Sequence, residues 1–155
     1  MSIEDDIAFF ERVPTLGLLG RAALRILAIG AESRYVHGGE VLFKAGETAD
    51  CGYVIQEGSF SLALPHSDGA NAATVGPGTL LGEMAMITET SRTATATALE
   101  PSTVLRIPRA LFMKMLEGYP DAAKKLRDII AARNDQSMRE MIKIRGTLDE
   151  QNRQR

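Results

Sequence analysis

Apolar residues recur at helical spacing near both ends of the chain and at a spacing of two in the middle. Ile3, Ile7 and Phe10 share one helical face, and Pro14 ends that segment. A second helix is expected from about Gly20 to Ile29, with Ala23, Ile26 and Leu27 on one side and Gly30 closing it. From there to about Pro108 the period changes to two. Short strands are expected at Glu40–Phe43, Gly52–Gln56, Ser59–Leu64, Ala72–Val75, Thr93–Leu99 and Thr103–Ile107. Phe60, Leu62 and Leu64 alternate with Ser59, Ser61 and Ala63, and Ala94, Ala96 and Ala98 with Thr93, Thr95 and Thr97. Turn signals separate these pieces, among them Gly38-Gly39, Glu57-Gly58 and Gly76-Pro77-Gly78.

After Pro108 the helical period returns. Leu111, Phe112, Met115 and Leu116 make one apolar face, which Gly118-Tyr119-Pro120 interrupts. A longer helix is expected from about Asp121 to Arg145, with Leu126, Ile129, Ile130, Met138, Met141 and Ile142 on its apolar side. The fold class that follows is α+β: an antiparallel, jelly-roll-like β-roll with a short helix inside and helices at both termini. Residues 1–30 form the N-terminal helical part and 31–108 the roll. Residues 109–146 supply the C-terminal helices, and 147–155 a polar, frayed tail.

Composition narrows the function classes. With 155 residues, 45% of them hydrophobic and 25% charged, the chain has the profile of one globular domain rather than a disordered segment. Its one cysteine, Cys51, excludes an internal disulfide and cysteine-based metal clusters, and is expected to be a small buried apolar residue. Two histidines, His37 and His66, are too few for a histidine-rich metal centre, and both are expected to be solvated near turns. The acidic N-terminus has no signal-like apolar stretch, and no run reaches the ~20 apolar residues of a membrane span, so a cytoplasmic location is expected. Residues 1–120 hold 9 Lys/Arg and 14 Asp/Glu, net -5, whereas residues 121–155 hold 9 and 6, net +3. The basic excess is confined to the C-terminal segment. No Ser–His–Asp set, metal cluster or carboxylate pair stands out, so the chain is read as a binder and not an enzyme.

The chemistry concentrates in residues 76–98. Gly82 permits a tight turn, and Glu83–Ile87 has room for one or two helical turns whose first amides lack internal partners. Such an end attracts an anion, phosphate above all. Arg92, expected to open the next strand, carries a planar, permanently charged fork that suits phosphate oxygens, and Thr93 adds a hydroxyl. Glu83 fits a different donor. Its carboxylate accepts hydrogen bonds from a sugar hydroxyl, so a ligand with a singly charged phosphate beside a free ribose hydroxyl satisfies both side chains. Small residues at Gly82, Ala85 and Ala94 leave room for it.

The segment Gly82-Glu83-Met84-Ala85 followed by Arg92-Thr93-Ala94-Thr95 resembles the phosphate-binding cassette of the cyclic nucleotide-binding domain family. The upstream stretch from Gly46 to Gly58 is similar to that family's approach to its β-roll. The likeness extends over roughly residues 10–133 and is closest to the C-terminal domains of bacterial cyclic-nucleotide-gated channels. It implies that Glu83 accepts from the ribose 2′-hydroxyl and that Arg92 pairs with the cyclic phosphate. The Gly82 and Ala85 backbone and Thr93 then complete the cradle, and Leu81 and Met84 line an apolar wall. It also implies that the last helix closes over the base, with Gly118–Pro120 as hinge and Arg127 or Arg133 stacking on the base.

Within that family the ligand is cAMP or cGMP. Thr93 fits a guanine contact, while the bacterial likeness favours cAMP. Only nine residues follow Gly146, too few for a DNA-binding module, and no membrane helices precede the domain. The chain is read as a sensor, equally as a stand-alone protein or as an excised domain. The competing reading is an interaction module with a vestigial pocket, whose long amphipathic helix forms a homodimer or docks an effector protein.

Overall fold

The computed structural model describes residues 2–65, 72–129 and 132 of the chain. Helix α1 (Ile3–Glu11) starts with a reciprocal cap in which the Ser2 hydroxyl accepts from the Asp5 amide and the Asp5 carboxylate accepts from the Ser2 amide. A short 3-10 helix (Leu16–Leu18) joins it to α2 (Arg21–Gly30). Ile7, Phe10, Leu16, Leu24 and Leu27 are buried together, so the N-terminal helices form one apolar layer. Helix α3 (Arg109–Gly118) buries Phe112 and Met115 against that layer. Residues 120–129 are again helical, with Ala122 and Leu126 buried. The rest of the helix expected to reach Arg145, apart from residue 132, lies outside the described residues, as does the tail. No described helix is long and apolar enough to cross a membrane.

Among the described residues, ten strands make the roll. β1 (Glu32–Val36), β10 (Ser102–Pro108), β4 (Cys51–Glu57) and β7 (Leu80–Leu81) form one antiparallel sheet in that order. β2 (Val41–Phe43), β9 (Thr95–Ala98), β5 (Phe60–Ala63) and β6 (Ala73–Val75) form a second. β3 (Thr48–Ala49) and β8 (Thr90–Ser91) form a small third sheet. This is the α+β architecture with an antiparallel β-roll that the periodicity predicts.

β4 is the strand on which the domain turns. All of Cys51–Ile55 is buried, because both faces are covered. Tyr53 and Ile55 join Phe43, Phe60 and Val104 in a core inside the roll. Val54 joins Leu105, Ile107 and the helices in a second core outside it. The same strand pairs with β10 along its length and with β7 at Tyr53↔Leu81, so any element attached to β7 is placed relative to both cores.

Several small elements carry no readable pattern. β3, β7 and β8 have two residues each, too few for a period to show, and β1 is exposed at four of its five positions. The alternation in residues 59–64 is also incomplete. Phe60 is fully buried and Leu62 partly so, but β5 ends at Ala63 and leaves Leu64 exposed.

Met86 is 1% exposed and packs over Gly52, where an added Cβ would stand 2.8 Å from the Met86 sulfur. That contact seats the segment after β7 on the outer face of β4. Met86→Ala should therefore destabilise the fold by about 2–5 kcal/mol, the usual cost of truncating a buried methionine, as read by urea denaturation.

Candidate functional site

The segment between β6 and β9 is fixed to the roll at several points. The Gly78 amide donates to the Ile55 carbonyl (2.8 Å), and the Ile55 amide to the Thr79 carbonyl (3.0 Å). After β7 the chain turns at Gly82, whose φ of 77° and ψ of 39° lie in the left-handed region that glycine adopts without a Cβ penalty. Glu83–Met86 then form a single 3-10 turn, within the one or two helical turns for which the sequence has room. The Ala85 amide is committed to closing that turn on the Gly82 carbonyl at 3.0 Å. At its other end the segment is held by β8, which pairs with β3 at Thr48↔Ser91.

Arg92 follows directly. It does not open a strand, because its backbone is tied to the turn before β3. Its amide donates to the Glu47 carbonyl and its carbonyl accepts from the Gly46 amide, both at 2.8 Å, and β9 begins only at Thr95. The side chain turns inward and is 8% exposed. One guanidinium nitrogen, Nη2, donates to the Cys51 carbonyl at 2.8 Å and lies 3.3 Å from the Cys51 sulfur. The cation stands 4.4 Å from the centre of the Phe43 ring and 5.5 Å from that of Tyr53. Nη1 is buried without a hydrogen-bond partner. A buried donor left unpaired costs about 1–3 kcal/mol, and more when charged, so this nitrogen is poised for an acceptor.

Arg92 also lines a cavity of about 310 Å³. Leu81, Gly82, Glu83, Met84, Ala85, Arg92 and Thr93, the seven residues singled out in the sequence, all line it. Leu81 and Ala85 are buried, Glu83 is half-buried, and Met84 and Thr93 are exposed at the rim. Phe43, Ala49, Leu62, Thr90, Ser91 and Ala94 line it as well. Phe43 ends the apolar run Val41-Leu42-Phe43 and Leu62 belongs to the alternation around Phe60, so both read as ordinary core residues and nothing in their pattern marks a cavity wall. Arg127 is not brought to the cavity. It follows buried Leu126 in a helix and so faces away from the side packed on the core, where it is exposed. Arg133 and His66 lie outside the described residues, whereas His37 is exposed and meets the Tyr35 ring edge-on.

Two further side chains brace the site. Arg109, the first residue of α3, donates from Nε to the Ala85 carbonyl (2.8 Å) and from Nη2 to the Ala49 carbonyl (2.6 Å). It therefore ties the 3-10 turn and β3 to α3. The Thr15 hydroxyl lies 3.5 Å from Glu83 Oε1, so the carboxylate reaches the N-terminal layer as well as the cavity. Thr15 is buried at a φ of 77°, a strained backbone setting for a β-branched residue. Neither role has a sequence signal, because both contacts bridge distant parts of the chain. Cys51 is buried as expected, but it also meets the Arg92 guanidinium. Burial raises the Tyr53 phenol above its ordinary pKa, with the Cys51 side chain adding to the rise.

A side chain at position 82 meets two obstacles. Its backbone conformation is left-handed, and a Cβ there would collide with Arg92 Nη1 and sit 3.2 Å from the Cys51 carbonyl. Gly82→Ala should lower stability by about 1–3 kcal/mol through this combined strain, measured by chemical denaturation of the unliganded protein.

Comparison with known proteins places this geometry in a family. Residues 33–119 match the model of the cyclic nucleotide-binding domain. The chain is 33% identical over 115 residues to the cyclic nucleotide-gated potassium channel mll3241 of Mesorhizobium japonicum, covering 74% of this chain and 31% of the channel. It is similar in structure to a cyclic nucleotide-binding-like protein from Brucella abortus, with 38% identity and a TM-score of 0.66. That match covers 73% of this chain and 98% of the other. The N-terminal domain of a transcriptional regulator from Streptomyces coelicolor aligns with a TM-score of 0.76 and 29% identity, covering 86% of this chain and 94% of that domain. The chain spans about a third or less of the length of the curated relatives it matches. With an antiparallel roll, an inward arginine and a family match that covers more than half of its length, this chain belongs to the cyclic nucleotide-binding domain family.

Proposed function

We propose that this domain binds a 3′,5′-cyclic nucleotide, with cAMP favoured over cGMP, and acts as a regulatory sensor rather than a catalyst. The observation that carries the reading is that Arg92 lines the cavity and holds a buried, unpartnered Nη1. A phosphodiester oxygen satisfies it, and one negative charge balances the guanidinium. Glu83 accepts from the ribose 2′-hydroxyl, Thr93 adds a hydroxyl beside the phosphate, and Leu81 and Met84 give the nucleotide an apolar wall. Gly82 and Ala85 leave the space that the ring phosphate needs.

The sensor role rests on how the cassette is connected. Ligand contacts at Arg92 and Glu83 act on a segment that Arg109 ties to α3, and α3 ends at Gly118 before the next helix starts at residue 120. A ligand that binds one arrangement of these helices more tightly than another shifts their population, and a partner can read the shift. The likeness to the N-terminal domain of a transcriptional regulator from Streptomyces coelicolor supports this reading.

The test is calorimetric titration of the purified chain with cAMP and with cGMP, wild type beside Arg92→Ala. The expected result is saturable binding that weakens by about 30- to several-thousand-fold in the variant, the usual loss when one member of a buried charge pair is removed. Unchanged affinity in a folded Arg92→Ala protein, or no heat with either nucleotide, contradicts the reading.

A further inference from the structure

Arg92 is held by more than its hydrogen bond. The Phe43 and Tyr53 rings lie 6.0 Å apart and within 22° of parallel, and both approach the same guanidinium carbon, at 4.4 and 5.5 Å. The two residues come from different sheets, Phe43 from β2 and Tyr53 from β4, and both are buried. The cation is thus desolvated against ring faces, a setting in which the attraction reaches its upper range. The Cys51 carbonyl fixes one nitrogen of the guanidinium, and Nη1 is left without a partner in a residue that lines the cavity.

We propose that Phe43 and Tyr53 are positioning residues for Arg92: the aromatic pair holds the guanidinium with Nη2 on the Cys51 carbonyl and Nη1 presented to the ligand's phosphate. The inference rests on the reading of Arg92 as the phosphate anchor and adds how that anchor is oriented. It also accounts for arginine at this position. A lysine ammonium keeps the charge, but has neither a plane to lay against the rings nor a second nitrogen to hold the carbonyl while the first meets phosphate.

The test is a double-mutant cycle on cyclic-nucleotide affinity, using wild type, F43L, R92K and F43L/R92K. Phe43 itself lines the cavity, so F43L removes a direct wall contact too. The cycle cancels that loss because it is common to both backgrounds. With the clamp, the penalty of R92K is at least threefold larger when Phe43 is present than in the F43L background, reaching about 30-fold at the top of the cation–π range. Coupling below threefold overturns the proposal, since independent sites combine nearly additively. Y53L repeats the cycle from a residue that does not line the cavity. A ligand-free measurement separates this proposal from the binding function. In the NMR spectrum of the unliganded protein, the Arg92 side-chain protons should be displaced upfield by the ring faces and return toward ordinary arginine positions in F43L. Ordinary positions in the wild type overturn the clamp whether or not a nucleotide binds, whereas upfield positions without nucleotide binding keep the clamp and overturn only the proposed function.

Discussion

A single buried guanidinium organises this domain. Arg92 enters the roll with one nitrogen on the Cys51 carbonyl, its central carbon close to two aromatic rings and its other terminal nitrogen unpaired. Placing a permanent charge there is costly, and an unpaired charged donor adds to the cost. The surroundings bear it because they are determined elsewhere. The backbone of Arg92 is fixed by the turn at Gly46–Glu47, and its carbonyl partner belongs to the first residue of the most buried strand. Local strain of this kind persists only where neighbouring structure over-determines it.

The same strand links the arginine to the rest of the molecule. β4 gives Tyr53 and Ile55 to the inner core, Val54 to the outer core, and the Cys51 carbonyl to Arg92. The segment from Gly82 to Met86 is pressed on that strand by Met86 and held to α3 by Arg109. Helices, roll and cavity are therefore mechanically continuous. Glu83 extends the continuity to the N-terminal layer through Thr15. These contacts join the cavity lining to both helical ends of the domain.

Much of this was legible in the sequence, for identifiable reasons. The helical period of α1, α2 and α3 and the alternation around Phe60 and Ala96 report burial directly, because one face meets a core. Of the seven cavity residues, Gly82, Glu83, Ala85, Arg92 and Thr93 were legible from their own chemistry, and Leu81 and Met84 only through the resemblance to the family's cassette. What was hidden depends on distant pairing. Two-residue strands such as β7 and β8 exist only because β4 and β3 pair with them. Phe43 and Tyr53 read as core residues, and their meeting over Arg92 depends on how two sheets pack. Arg109 and Thr15 read as a helix start and a loop residue, although each contacts the cassette from far along the chain.

The central claim is that the unpaired nitrogen of Arg92 awaits a singly charged cyclic phosphate. The most direct measurement is competition at equilibrium among cAMP, adenosine and 5′-AMP for the wild-type domain. The account predicts that adenosine, which has base and ribose but no phosphate, binds at least about 100-fold more weakly than cAMP, consistent with loss of a charge-assisted contact of about 3 kcal/mol. It also predicts that 5′-AMP is disfavoured against cAMP, because its second negative charge has no further buried cation in the cavity lining and faces Glu83. Equal affinity for adenosine and cAMP would contradict the account, since the arginine would then have no part in recognition.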